Sequence, residues 1–282
     1  MIMAVNFEER FAVHHEDFKN YDTEKIRKHF LIENIMEPGN INLTYSHYDR
    51  FIVGGAVPLA EPLKLAAIEP LKSTYFLERR EMGVINVGGE GFIVAGDQKF
   101  TVKYKEAVYL GRGTRDVQFG SKNPAKPAHF YLNSAPAHKE YQCKHVTLAQ
   151  AEPVELGSLE TSNARRINKL LINTVIDTCQ MQMGMTELKP GSVWNTMPAH
   201  THSRRMEAYF YFQVPENQAI CHIMGQPHET RHIWMHNEQA VLSPSWSLHA
   251  AAGTSNYNFI WGMAGENLDY SDMDGIQPYQ LR

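Results

Sequence analysis

The sequence predicts an all-β chain made of two similar halves behind a short helix, and three features carry that reading. From Asn40 onward the chain runs in short β-branched and aromatic stretches broken by Gly, Pro and Asn, as in RFIVGGAVP, GVINVGG, GFIVAGDQKFTV and EAVYLGRGTRDVQF. Strands of this length, closely spaced with turn residues between them, belong to a sandwich or barrel. The texture lapses over residues 150–173, QAEPVELGSLETSNARRINKLLIN, and returns in TCQMQMGMTEL, MEAYFYFQV, QAICHIMG, RHIWMH, QAVLSP and NYNFIWGM. The two stretches also echo one another. ERREMGVINV (78–87) resembles SRRMEAYFYF (203–212), EAVYLGRGTRD (106–116) aligns with QAVLSPSWSLH (239–249), and HFYLNSAP (129–136) with NFIWGMAG (258–265). Three matches in one order indicate a duplicated unit. The lapse sets the boundary, with domains expected at 1–155 and 156–282.

Ahead of the strands, DTEKIRKHFL (22–31) has the spacing of a helix, with Asp22 or Thr23 as N-cap and Ile26 and Phe30 on one face. Further upstream, MIMAVNFEERFAVHHEDF carries acids and a histidine pair where a secretory signal needs an apolar run, so a cytoplasmic protein is expected. GGEG at 88–91 lies between strands with neither a following helix nor Gly-Lys-Ser/Thr, and reads as a hairpin turn rather than a phosphate loop. A long run free of Asp, Glu, Lys and Arg, residues 240–265, holds Pro244, His249, Gly253 and two asparagines, which excludes a membrane span.

Hydrophobic residues make up 43% of the 282 and charged residues 21%, the balance of a soluble globular chain. A net charge of −4 supplies no basic field for a nucleic-acid backbone. Cys143, Cys179 and Cys221 are far apart and form no C-x-x-C pair, which fits structural thiols in a reducing compartment.

Histidine is the informative residue. Seven of the 14 (His200, His202, His222, His228, His232, His236 and His249) fall within fifty residues. Among them, His228-Glu229-Thr230-Arg231-His232 spells H-E-x-x-H, the zinc-protease signature. That motif works only on a helix, where positions four apart share a face. Here it follows Gly225-Gln226-Pro227 and runs into Ile233-Trp234-Met235 amid strand-like neighbours. The protease reading is set aside.

The competing constellation lies in NTMPAHTHSRRMEAYFYF. His200 and His202, two apart on a strand, present both rings to one face. Glu207 follows at an odd step, so a turn or bulge is expected around Ser203–Met206. It then shares a strand face with Tyr209 and Tyr211. Downstream, SPSWSLH brings His249 to the start of a strand marked by Pro244. Three imidazoles and a carboxylate make a site for a divalent first-row metal, with zinc a natural occupant and manganese, iron, cobalt or nickel also compatible.

This arrangement resembles the cupin superfamily, whose first motif carries H-x-H, a short gap and Glu, and whose second is P-x-G-x-x-H. Here the second is Pro244-Ser245-Trp246-Ser247-Leu248-His249, with Trp246 in place of glycine. YSHYDRFIVGGAVP, YFLERREMGVINVGGEG, WNTMPAHTHSRRMEAYFYF, GQPHETRHIWMHNEQAVLSPSWSLH and FIWGMAGEN are similar to the 5-keto-4-deoxyuronate isomerases over about Tyr45 to Arg282. The resemblance implies two cupin-type jelly-roll barrels, one Zn2+ per subunit on His200, His202, Glu207 and His249, and a homo-hexamer. It also implies isomerisation of 5-dehydro-4-deoxy-D-glucuronate to 3-deoxy-D-glycero-2,5-hexodiulosonate in pectin breakdown. In the N-terminal repeat FLERREM and Asp116, aligned with His249, stand at the corresponding places, so that barrel is expected to bind no metal.

An aldose–ketose shift moves a carbonyl from C1 to C2 and needs a polarised carbonyl and a proton transfer, or a hydride shift. Tyr209, Tyr211 and His232 are candidate proton carriers, with His236 on a neighbouring strand. Arg204, Arg205 and Arg231 are candidates for the substrate carboxylate, which suits a planar guanidinium. Arg165-Arg166 falls in the lapsed stretch and equally suits assembly. A cupin dioxygenase and a non-catalytic sugar-binding bicupin are the alternatives. Oxygen uptake distinguishes the first, and the second needs no intact ligand quartet.

Overall fold

The computed structural model describes residues 5–282; residues 1–4, which begin the acidic N-terminal stretch, lie outside the described residues. The described chain divides into two compact units, one of 5–10, 34–152 and 170–183, the other of 11–33, 153–169 and 184–282. The division is therefore interleaved rather than a single cut between 155 and 156.

Each unit pairs a large sheet with a small one, and the two units repeat the same order. In the first, the small sheet runs Leu63–Lys64, Gln118–Ser121, Gly91–Ala95, Gln98–Val102. Its counterpart in the second runs Trp194–Asn195, Leu248–Gly253, Ile220–Gln226, Glu229–Met235. The large sheets share a central succession: Ile52–Ala56, Phe130–Pro136, Arg80–Asn86, Ala107–Leu110 in one, and Met181–Leu188, Asn258–Gly265, Arg205–Phe212, Gln239–Ser243 in the other. Ladder registers agree with the internal alignment residue by residue. Phe130 pairs with Asn86 as Phe259 pairs with Tyr211, and Met82 with Leu110 as Glu207 with Ser243.

The same ladders correct one expectation. In the small sheets the hairpins align Ala95↔Gln98 with Gln226↔Glu229, so Gln118↔Val94 matches Leu248↔Gly225 and the position of His249 falls to Phe119. Asp116 is not the counterpart of His249; it is exposed on a turn with positive φ, 3.5 Å from Lys64. Met82 and Phe119, at the places of Glu207 and His249, are fully buried core residues. One slip of register around a turn moved the sequence alignment off the ladder.

The helix spans Thr23–Phe30, with Asp22 accepting from the Lys25 amide at 2.8 Å as N-cap and Ile26 and Phe30 buried. A further short turn of helix, His15–Phe18, and strands at Asn6–Arg10 and Leu31–Ile32 were not legible. Phe18, Phe30 and Trp246 cluster with ring centroids 5.2–6.3 Å apart. This explains the tryptophan where the second cupin motif has glycine: the indole replaces glycine to pack the N-terminal helices onto the loop before His249. Trp246→Gly should lower stability by about 2–3 kcal/mol, read as a drop in the denaturant midpoint.

GGEG is not a hairpin turn. It carries the chain from Arg80–Asn86 in the large sheet to Gly91–Ala95 in the small one, and a Cβ on Gly89 would meet the Lys126 carbonyl at 2.1 Å. Residues 150–173 are not a strand-free break either, since they hold strands at Glu152–Leu156 and Arg165–Leu171. Long charged side chains on the latter hid its alternation. All three cysteines are unpaired, Cys179 buried and the others half-buried. Among the described residues no helix is long and apolar enough to cross a membrane.

Candidate metal centre

His200, His202, Glu207 and His249 come together in the second unit, with one ligand atom from each lying within 4.8 Å of the others. His200 stands on the short strand Ala199–Thr201, held by pairing to Asp274–Ile276, where His200 faces Gly275. The chain then turns at Ser203-Arg204, the break expected from the odd step, and Glu207 starts inward from the strand Arg205–Phe212. His249 enters from Leu248–Gly253. Ser247 fixes that approach by accepting from the Gly225 amide at 2.8 Å.

The geometry is that of a ligand set. His202 Nε2 and His249 Nε2 each lie 2.9 Å from Glu207 Oε2, and His249 Nε2 lies 3.1 Å from His200 Nε2. These separations approach the edges of a coordination polyhedron with bonds of about 2.0–2.2 Å. His202 Nδ1 lies 3.1 Å from the Arg205 carbonyl, which can only accept, so Nδ1 carries the proton. That leaves Nε2 as the atom aimed at Glu207 Oε2 across 2.9 Å, the nitrogen whose lone pair a metal ion beside the carboxylate would take. His249 is oriented in the same way, by Ser243 Oγ at 3.2 Å from its Nδ1.

Electrostatics agree with the donor chemistry. Burial and the facing His249 pull His200 down to about 3, so its ring is neutral. Burial opposes the charge on Glu207, but the imidazoles of His249 and His202 outweigh it and hold the carboxyl well below the usual range.

The cluster opens onto a cavity of about 240 Å³ in the same unit. His200, His202 and Glu207 reach it, and Ile167, Phe259, Trp261 and Met263 give it apolar walls. Tyr209 lines it too, its hydroxyl 2.9 Å from Thr196 Oγ1. Tyr211 does not reach the cavity. It lies deeper, with its hydroxyl 2.8 Å from Nδ1 of His222, which is fully buried and drawn down to about 3, chiefly by burial. His232 and His236 are exposed, His232 on the outer face of a strand and His236 just past its end.

None of the arginines proposed for the carboxylate lines the cavity. Arg204 pairs with Asp272 at 2.9 Å. Arg205 is buried and donates to the carbonyls of Asp269, Tyr270 and Asp272. Arg231 pairs with Glu229 and donates to the Lys19 carbonyl. Closeness in sequence to the motif does not bring these side chains to the cavity, because each is held by partners elsewhere, Arg205 by the 269–272 loop although it shares a strand face with Glu207. Arg165 and Asn195 line the cavity instead. The only sequence signal for them was position, Asn195 five residues before His200 and Arg165 within a stretch that lacked a β texture.

His228 forms the two-residue turn with Pro227 between Ile220–Gln226 and Glu229–Met235, paired Gln226↔Glu229. HETRH therefore lies in a β-hairpin, with His228 and His232 both exposed and apart from the cluster.

Comparison with known proteins places these features in a family. Residues 30–275 match the KduI/IolB family. The 4-deoxy-L-threo-5-hexosulose-uronate ketol-isomerase of Bacteroides fragilis is 62% identical over 272 residues, covering 96% of this chain and 97% of its own length. Those of Formosa agariphila and Caldicellulosiruptor bescii are 56% and 51% identical over 99% and 98% of this chain, each across its full length. Among solved structures, an IolB-like protein from Salmonella typhimurium superposes with a TM-score of 0.70 at 15% identity, covering 89% of this chain and 98% of its own. Oxalate decarboxylase of Bacillus subtilis superposes with a TM-score of 0.55 at 11% identity, over 79% of this chain and 71% of its own, and shares the two-barrel fold. With a match across most of its length and relatives of this identity, the chain belongs to the KduI/IolB family.

Proposed function

We propose that this protein is a zinc-assisted ketol-isomerase, converting 5-dehydro-4-deoxy-D-glucuronate to 3-deoxy-D-glycero-2,5-hexodiulosonate in pectin and uronate breakdown. The observation that carries the reading is a buried cluster of three imidazoles and one carboxylate facing a cavity, in a chain 62% identical to an isomerase of that name. His200, His202, Glu207 and His249 would hold the ion, and this nitrogen-rich set with one carboxylate suits zinc. A divalent cation held there supplies Lewis-acid polarisation of the substrate oxygens at C1 and C2.

The chain's own residues do the rest. The apolar walls exclude water around the reacting carbons, which strengthens every polar contact made there. Burial, and then the charge of Glu207, hold the Tyr209 phenol well above its ordinary value, so it stays protonated. It donates a hydrogen bond from Oη to a substrate oxygen while Thr196 orients it. Tyr209→Phe should lower kcat about 10–100-fold while metal content is retained, a loss of the size expected for one buried hydrogen bond to developing charge.

The test is metal analysis beside an NMR assay of the keto-uronate. About one zinc per chain with conversion to the 2,5-diulosonate supports the reading. A redox-active metal with oxygen uptake and no isomerisation would make the protein a dioxygenase, and sugar binding without turnover a non-catalytic bicupin. The same reading makes the enzyme a cytoplasmic homo-hexamer, which sedimentation of the purified protein and fractionation of the source cells check.

A further inference from the structure

Two polar side chains in the cavity have no partner that accounts for them. Arg165, at the start of the strand Arg165–Leu171, uses one guanidinium nitrogen, Nη1, on the Asn163 carbonyl at 2.9 Å. Among the described residues it makes no other hydrogen bond and no ion pair. The remaining N–H groups of a planar fork are left for something else. Asn195 is 2% exposed, and its Nδ2 is buried without an acceptor. It sits opposite Ala251 in the small sheet, and Ala251 shares a strand face with His249 two residues earlier. Asn195 therefore lies on the face that carries the ligand, about 7 Å along the strand direction from it.

A half-buried cation without a counter-ion and a buried amide donor without an acceptor, in one cavity, both ask for an acceptor group carrying negative charge. Burial pulls the Arg165 guanidinium below its ordinary value, and among the described residues no carboxylate forms an ion pair with it. The other arginines near the site are all engaged, Arg204 by Asp272, Arg205 by three carbonyls and Arg231 by Glu229.

We propose that Arg165 and Asn195 form the subsite that takes the carboxylate of an acyclic sugar acid, and so set the preference of this cavity for uronates over neutral sugars. The proposal rests on the isomerase reading for its substrate, but the anion subsite stands on the free N–H groups of Arg165 and the unpaired Asn195 amide alone. An open-chain keto-uronate carries its carboxylate at the end opposite C1 and C2, so one end is gripped by Arg165 and Asn195 while the reacting end meets the ligand cluster. Asn195 contributes the orienting donor and Arg165 the charge-assisted fork.

The test compares D-gluconate with D-sorbitol, two acyclic polyols that differ by carboxylate against hydroxymethyl, as competitive inhibitors and as calorimetric ligands of the zinc-loaded protein. Wild type should prefer gluconate by about 10–100-fold, the scale of a charge-assisted hydrogen bond. Arg165→Met should abolish that preference and raise KM for the keto-uronate about 100-fold with kcat far less changed, at unaltered zinc content and melting temperature. Arg165→Lys should recover part of the affinity. Asn195→Asp, nearly isosteric, places an internal carboxylate in the same cavity and should also weaken gluconate, which keeps the proposal testable if Arg165→Met fails to fold.

Equal binding of gluconate and sorbitol by wild type overturns the proposal. So does a gluconate preference that survives in Arg165→Met, because the carboxylate would then be held by the metal. If wild type fails to isomerise the keto-uronate yet binds gluconate in an Arg165-dependent way, the isomerase reading falls and the subsite stands.

Discussion

His249→Ala is expected to lose metal and activity together. The imidazole enters from a strand remote in sequence from the other three ligands, and its Nε2 faces both Glu207 Oε2 and His200 Nε2. Its removal leaves three donors and a gap on the side of the small sheet. Bound zinc should fall well below one per chain after dialysis, and kcat/KM should drop about 10³-fold or more, since a Lewis acid contributes several kcal/mol to stabilising developing negative charge. Chelation of the wild-type protein should give the same loss, reversed on adding zinc back.

The control is His228→Ala, in the exposed turn of the neighbouring hairpin, which should keep both metal and rate within about twofold, because a surface substitution away from the site disturbs little. Atomic absorption and steady-state kinetics on both variants decide the matter. A metal-free His228→Ala protein would reinstate the H-E-x-x-H reading.

The cluster of His200, His202, Glu207 and His249 was legible because strand geometry is periodic. Two residues on one strand share a face, and a fixed odd step to Glu207 forces a turn, which the structure puts at Ser203-Arg204. The duplication was legible for a related reason, since the central strands of both large sheets are buried along nearly their whole length and recur in the same order. Its register failed only where it crossed a turn, and Asp116 was aligned with His249 where the ladder places Phe119. Arg165 stayed hidden because a strand that presents arginine, lysine and asparagine beside isoleucine and leucine has no clean alternation to read. The interleaving of 11–33 with the second unit was likewise invisible, because the packing of Phe18 and Phe30 on Trp246 joins residues more than two hundred positions apart.

What the two barrels keep in common points to the second large effect. Each holds a buried arginine at the matched position before its central strand turns inward. Arg80 donates to Ser134 Oγ, the Ser134 carbonyl and the Arg50 carbonyl. Arg205 donates to three carbonyls of the 269–272 loop. The ligand positions have diverged to Met82 and Phe119, whereas the arginine has not, which marks it as part of the scaffold rather than of the chemistry. In the second barrel the pinned loop supplies Tyr270 and Met273 to the cavity, so the scaffold role reaches the site.

Arg205→Leu should therefore cost about 3–5 kcal/mol, because three carbonyls lose a charged donor at once. Arg205→Lys should recover only part of this, a single ammonium being unable to span all three acceptors. Arg204→Leu removes an exposed ion pair with Asp272 and should cost no more than about 1 kcal/mol. Denaturant unfolding of the three variants measures the costs, and amide exchange over residues 266–273 should quicken only in the Arg205 variants. Equal losses at 204 and 205 would mean that the loop is held by its surface charges, and the buried guanidinium would then have no special claim.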